Sequence, residues 1–303
     1  MEIIKYLISP LLALLLAPLM LGIVNKTKAF FAGRQGAPLL QLYYDLFRLF
    51  NKDSVISGTT SQIFKIAPVI IFGSILAAIF LLPFTPGCKS FAFTGDFVLL
   101  FYLLALARFF IIIAALDTGS AFEGMGASRE AFFAALAEPI SFIVILTLLR
   151  LNHSTSMITA FATIGDKNWI VIALIAIPMF AVMLTENSRI PFDDPNTHLE
   201  LTMVHEVMIL DHSGVDLAIL EYASALKFWL FTLLFVKIIF PFDGAGFFIE
   251  ISTTLALIIV SSVAVGVIES VMARSRLVKI PQLLFSAGVI ACFGFYLSIS
   301  KIC

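Results

Sequence analysis

Cysteine is scarce in this chain: Cys88, Cys292 and Cys303 are the only three in 303 residues, and no two form a CxxC pair. That spacing argues against a disulfide framework and against a thiolate metal or cluster site, so each is expected to be a small buried hydrophobe. Charge is scarce too. Only 13% of residues are charged and the net charge is -1, which leaves no basic surplus for nucleic acid. What fills the chain is apolar: 60% hydrophobic residues and a mean hydropathy of +1.05 place most of it in lipid.

A spanning helix needs roughly 20 mostly apolar residues. About eight stretches qualify, near 3–24, 64–84, 97–116, 131–150, 168–185, 217–240, 248–269 and 281–300. The expected fold is therefore an all-α polytopic membrane protein, a single integral domain over 1–303. Its loops on one side fall near 25–63, 117–130, 186–216 and 270–280. The first stretch is too long for a secretory signal, and Ala17-Pro18 is a poor cleavage site, so it is read as a retained span. No strong internal repeat of the secondary-transporter kind is evident.

Lys26, Lys28, Arg34, Arg48, Lys52 and Lys65 follow the first span, and Arg274, Arg276 and Lys279 precede the last. The opposite loops offer little beyond Lys89 and Lys167. The basic side is thus expected to be cytoplasmic, with both termini outside.

Between the first two spans, Pro38 can start a short helix with Leu39, Leu42, Tyr43, Leu46 and Phe50 on one side and Gln41, Asp45, Arg48 and Lys52 on the other. It is too short and too amphipathic to span, and packing against a soluble partner is the rival to an interfacial position. An interfacial helix with Arg48 and Lys52 snorkelling to the headgroups is expected, and Arg34 in the preceding turn is expected at the lipid surface or against a partner.

Ionisable groups inside the spans are costly, and they stand out. Arg108, midway along the third span, carries a penalty of about 2.5–3.5 kcal/mol and needs a partner, for which Glu138 and Glu221 are the candidates. Lys227 is deep in the sixth span and is expected to be paired or titrating, whereas Lys237 is near enough to the outer end to snorkel. Asp117, Glu123 and Glu269 fall at span ends, where solvation or pairing with a nearby base is expected.

The densest polar run is Glu186 to Glu206. Pro191 and Pro195 forbid a continuous helix, so 186–196 is expected to be irregular. From Thr197 a helix would align His198, Thr202, His205 and Ile209 on one face, with Glu206 beside it. His198 and His205 are seven apart and outside any HExxH string, which makes a metal site weak. His212, in the turn that follows, is expected to be exposed.

Glu186 to Glu206, with Asp211-His212-Ser213-Gly214 and Leu220 to Lys227, resembles the eight-span membrane subunit of energy-converting (group 4) nickel-iron hydrogenases and formate hydrogenlyase. Gly33-Arg34-Gln35-Gly36 with Leu40-Gln41, and Glu269 to Arg276 with Ile280-Pro281, are similar to the same family. A fainter likeness reaches the complex I subunit homologous to mitochondrial subunit 1, through Glu186, Arg189, Pro191, Phe192 and Asp193. Where that subunit usually continues with acids, this chain has Asp194 to Thr202 in the hydrogenase-like form, which weakens a quinone-reductase reading. The resemblance implies a subunit without metal or redox centre of its own. Iron-sulfur clusters and the nickel-iron centre are expected in partners: hydrogenase large and small subunits and a ferredoxin-like iron-sulfur subunit. Antiporter-like membrane subunits and lipid would be its lateral neighbours.

On this reading Glu138, Glu206 and Glu221 titrate along a proton or sodium path with Arg108 and Lys227. Glu186, Arg189, Asp193, Asp194, His198, Glu200, His205, Arg34 and Gln41 organise or dock the loops. A quinone chamber, a stand-alone transporter and a purely structural anchor are the rival expectations.

Overall fold

The computed structural model describes residues 2–84, 93–161, 169–193, 203–241 and 246–300, with side chains from Tyr6 onward. Among these residues there is helix and no strand, and eight helices are long and apolar enough to cross a membrane. In chain order the helices are α1 (Glu2–Phe31), α2 (Gln41–Phe50), α3 (Gln62–Leu81), α4 (Asp96–Asp117), α5 (Ala121–Leu151), α6 (Met157–Ala160), α7 (Trp169–Glu186), α8 (His205–Met208), α9 (Gly214–Ile239), α10 (Phe247–Val271) and α11 (Ile280–Ser300). With no water in the bilayer core, a helix satisfies each backbone group within its own segment, which is why this composition yields nothing else.

Helix α9 is the central post, packing on α1, α2, α3, α7 and α10. It carries the largest fully buried side chain, Trp229, which stacks on Phe84 at 6.2 Å. Around it α3 pairs with α4, α1 with α10, and α11 closes on α5 and α7. Small side chains at the contacts, Ala13 and Ala17 on α1 and Ala67 and Ala78 on α3, are fully buried. Such residues let helices approach closely enough for van der Waals packing, which drives association where lipid is as apolar as leucine.

Two expectations on boundaries fail. The sequence pattern puts the fourth span from 131 with a loop over 117–130, but α5 begins at Ala121 and only 118–120 remain as a connection. Its polar start is helical because its charges are used: Glu123 accepts from the Asp211 backbone N–H at 3.1 Å, and Arg129 donates to Met203 O at 2.9 Å. The helix expected from Thr197 to Ile209 is not continuous either. Met203 and Val204 are non-helical, and α8 is a single turn. The Asp193 carboxylate accepts from Val204 N at 3.0 Å, satisfying the amide that a continuous helix would have used.

Helix α2 packs against α9 and α1. Leu46 is buried and Leu42 and Tyr43 are half-buried, whereas Leu39 and Phe50 of the expected inner face are exposed with Tyr44 and Phe47. Burial pushes the Tyr43 phenol above its usual range, and its hydroxyl donates to the Leu15 carbonyl. Three further expectations are corrected. Cys292 is exposed on α11 rather than buried, because its face of that helix is not covered by the described residues; Cys88 and Cys303 lie outside them. Lys237 does not snorkel: it is 4% exposed and donates to Thr254 Oγ1 at 2.8 Å, a partner supplied by α10. His212 is buried, as described below.

Gly214 opens α9 in the left-handed region, φ +55°, and a Cβ there would stand 2.5 Å from Asp53 O. Gly214→Ala is expected to destabilise the fold by about 1–2 kcal/mol, read as a lower apparent melting temperature in detergent.

Candidate functional site

Arg108 organises the polar centre. Its guanidinium meets Glu138 and Glu186 in direct ion pairs and Glu130 at 3.4 Å. The same Glu186 oxygen, Oε2, takes Lys227 Nζ at 2.9 Å. Two cations and three carboxylates from α4, α5, α7 and α9 thus form one network, with Arg108 and Glu186 both 8% exposed. Arg108 is nine residues from the loop-side end of α4, so by helical rise the network sits about 13 Å along that helix. Burial at that depth is tolerable because each charge has an opposite partner.

A cavity of about 90 Å³ opens beside the network. A cavity needs only roughly 10–15 Å³ of such space to hold one water, so this one has room for more than one. Glu130, His205, Glu206 and Lys227 contribute polar wall, and Ile71, Leu104 and Phe228 the apolar wall. Glu206 lines this cavity; Glu221 does not, although Glu206, Asp45 and Arg48 lie within electrostatic reach of it.

A second network adjoins the first through Arg189, which also lines the cavity and stands over the Phe228 ring at 5.5 Å. Arg189 reaches Glu269 at 3.5 Å, and Lys28 reaches the same carboxylate at 2.8 Å. Glu269 and Glu123 are 5% and 1% exposed, so neither is solvated at a span end; both are held by partners from distant elements. Asp117 accepts from Ser61 N at 2.6 Å and anchors the start of α3. The loop itself is pinned: Asp193 pairs with Arg274 at 2.7 Å, and Ser275 N donates to Pro191 O at 2.9 Å.

The loop-side turn after α8 is equally fixed. His212 is 4% exposed and stacks flat on Phe64 at 3.9 Å, which overturns its expected exposure. Ser213 Oγ donates to Val55 O at 3.1 Å and accepts from Val55 N at 2.8 Å, tying the turn to the first loop. Burial lowers the His212 pKa to about 4 despite Asp216 and Asp211 nearby. The folded state therefore binds this proton more weakly than the unfolded chain. Its stability contribution is full above the ordinary value of 6.5 and is lost as pH falls from there towards 4. His212→Phe, which keeps the stack without the proton, is expected to flatten the melting temperature against pH over that window.

Of the residues singled out in the sequence, Arg108, Glu138, Glu186, Arg189, Lys227, His205 and Glu206 converge on the cavity or its network. Asp193 fixes the loop, Gln41 bonds locally to Asp45, and Arg34 is exposed. Asp194, His198 and Glu200 lie outside the described residues. Glu130, Lys28, Arg129 and Arg274 escape a reading of the sequence for site residues. Glu130 carries a signal, since it precedes Glu138 by eight residues on one helix. Among the described residues no group of three His, Cys, Asp or Glu side chains could hold a metal ion.

A polytopic helical membrane protein with a buried charge network beneath one loop face is the class this geometry defines. The chain belongs to the NADH dehydrogenase family, which it matches over residues 4–298. It is 31% identical to hydrogenase-4 component C of Escherichia coli K12, covering 88% of this chain and 86% of that one. To formate hydrogenlyase subunit 4 of the same organism it is 29% identical, covering 97% and 96%. NADH-ubiquinone oxidoreductase chain 1 of Triticum aestivum is 29% identical over 73% of this chain and 73% of that one. A solved chain from the membrane-bound sulfane sulfur reductase, an archaeal respiratory membrane complex, shares the fold. Its TM-score is 0.83 at 18% identity, over 98% of this chain and 99% of that one.

Proposed function

We propose that this chain is the membrane-anchoring and coupling subunit of a nickel-iron hydrogenase or formate hydrogenlyase-type complex, linking electron transfer in a docked arm to proton or sodium translocation. The complex sits in the cytoplasmic membrane of a bacterium or archaeon, with both termini outside. Hydrogenase large and small subunits and a ferredoxin-like iron-sulfur subunit dock on the loop-side face, to which the first loop, residues 187–193 and residues 203–213 contribute. Antiporter-like subunits pack laterally.

The observation that carries this reading is the Arg108–Glu186–Lys227 network, which opens into a cavity under that face. Ionisable groups held at membrane depth in pairs mark ion paths more often than packing devices. The energetics are of the right size. A charge change about 6 Å from a carboxylate, at an effective dielectric near 20, shifts its proton affinity by roughly 2.8 kcal/mol, about two pKa units. Moving one charge against 100 mV costs about 2.3 kcal/mol. A charge change in the arm at that distance is thus of the size that one translocation step against such a potential requires.

Purification of the complex with this chain tagged is expected to bring down a hydrogenase large subunit, identified by mass spectrometry. Its absence, together with turnover on a quinone analogue, would replace this reading with a quinone-reducing one.

A further inference from the structure

A second pocket lies at the opposite end of the bundle, where α4 and α7 begin and α5 and α11 end. Its volume is about 340 Å³. Its basic lining is Arg150 and His153, beside the hydroxyl residues Ser154 and Thr155. The remaining wall is Phe97, Leu146, Leu149 and Phe295. Arg150 is in the last turn of α5 and Phe295 is five residues short of the end of α11. By helical rise the polar end is thus level with the helix termini, and the apolar wall runs about 7 Å into the spans.

The walls are held. Thr155 O accepts from Gly95 N and Ser154 N donates to Leu149 O, both at 2.9 Å, and Asn152 Nδ2 donates to Ala160 O at 2.7 Å. His153 takes the turn at φ +48°. The nearby acid, Asp96, is fully buried and receives Ser156 Oγ at 2.8 Å and Met157 N at 2.9 Å.

We infer that this pocket binds an anionic phospholipid of the leaflet on the side of the chain termini. Arg150 and His153 receive the phosphate with the hydroxyls beside them, and an acyl chain lies along Phe97, Leu146, Leu149 and Phe295. A guanidinium suits phosphate oxygens as a two-pronged donor. Free phosphate would satisfy the basic end and leave Phe97, Leu146 and Phe295 only partly covered, so the amphipathic lining selects a lipid. The inference rests on the pocket and its depth, and stands whatever the redox partner is.

The test uses the intact complex in mild detergent, with lipid counted per chain by native mass spectrometry. The wild type is expected to retain about one phosphatidylglycerol or cardiolipin per chain through delipidation. The Arg150→Gln/His153→Gln double variant should retain at least tenfold less, about what losing one charge-assisted contact removes. Equal retention by the variant overturns the inference. Should the variant fail to assemble, exchange on the wild type decides. Added phosphatidylglycerol must displace the retained lipid at least tenfold better than phosphatidylcholine. Equal exchange, or displacement by millimolar inorganic phosphate, overturns it too.

Discussion

Arg108→Gln is expected to destabilise the protein by about 3–5 kcal/mol, the usual consequence of removing one partner from a buried ion pair. The physical reason is the crowd around it. Glu130, Glu138 and Glu186 all face this guanidinium, and without it Lys227 is left to offset them. Repulsion among acids at short range in a poorly polarisable setting is then uncompensated. The measurable result is a sharp drop in the amount of assembled complex in membranes and in its melting temperature. Glu186→Gln in the same background should recover more than about 1 kcal/mol, since residues in one network couple by roughly 0.5–3 kcal/mol. Additive losses would show that Arg108 and Glu186 do not act as a unit.

The second large effect concerns transport rather than folding. Glu206→Gln and Glu221→Gln keep shape and hydrogen-bonding capacity but cannot carry a proton, so each is expected to abolish ion translocation by the complex in proteoliposomes while assembly stays intact. Glu206 has the stronger claim, because it lines the cavity beside Lys227 and Arg108. Glu221 lies off the cavity, within electrostatic reach of Glu206 and of Asp45 and Arg48 on α2. Undiminished translocation in both variants would remove these two acids from the path.

The eight spans are readable from the sequence because a run of roughly 20 apolar residues has few alternatives. Failure comes where polar residues are helical. Glu123, Arg129 and Glu130 look like a loop in sequence, yet α5 contains them, because Asp211, Met203 and Arg108 supply partners from far along the chain. The pairing of Arg108 with Glu138 is legible, since both fall inside spans. Glu186 reads as a loop organiser, whereas the fold puts it between Arg108 and Lys227 at the heart of the network. Lys28, Glu269 and Arg189 cannot be joined by inspection: the α1–α10 contact brings Lys28 to Glu269, and the loop after α7 adds Arg189. His212 fails for a related reason, as its stacking partner Phe64 starts a different span.

The clasp between residues 191–193 and the α10–α11 connection has a consequence for biogenesis. Arg274 and Ser275 supply the bonds that fix Asp193 and Pro191, yet they lie some eighty residues further along the chain and leave the ribosome later. The clasp can therefore close only once the α10–α11 connection has been made, so residues 191–193 are fixed late in synthesis, after the seven preceding spans have left the ribosome.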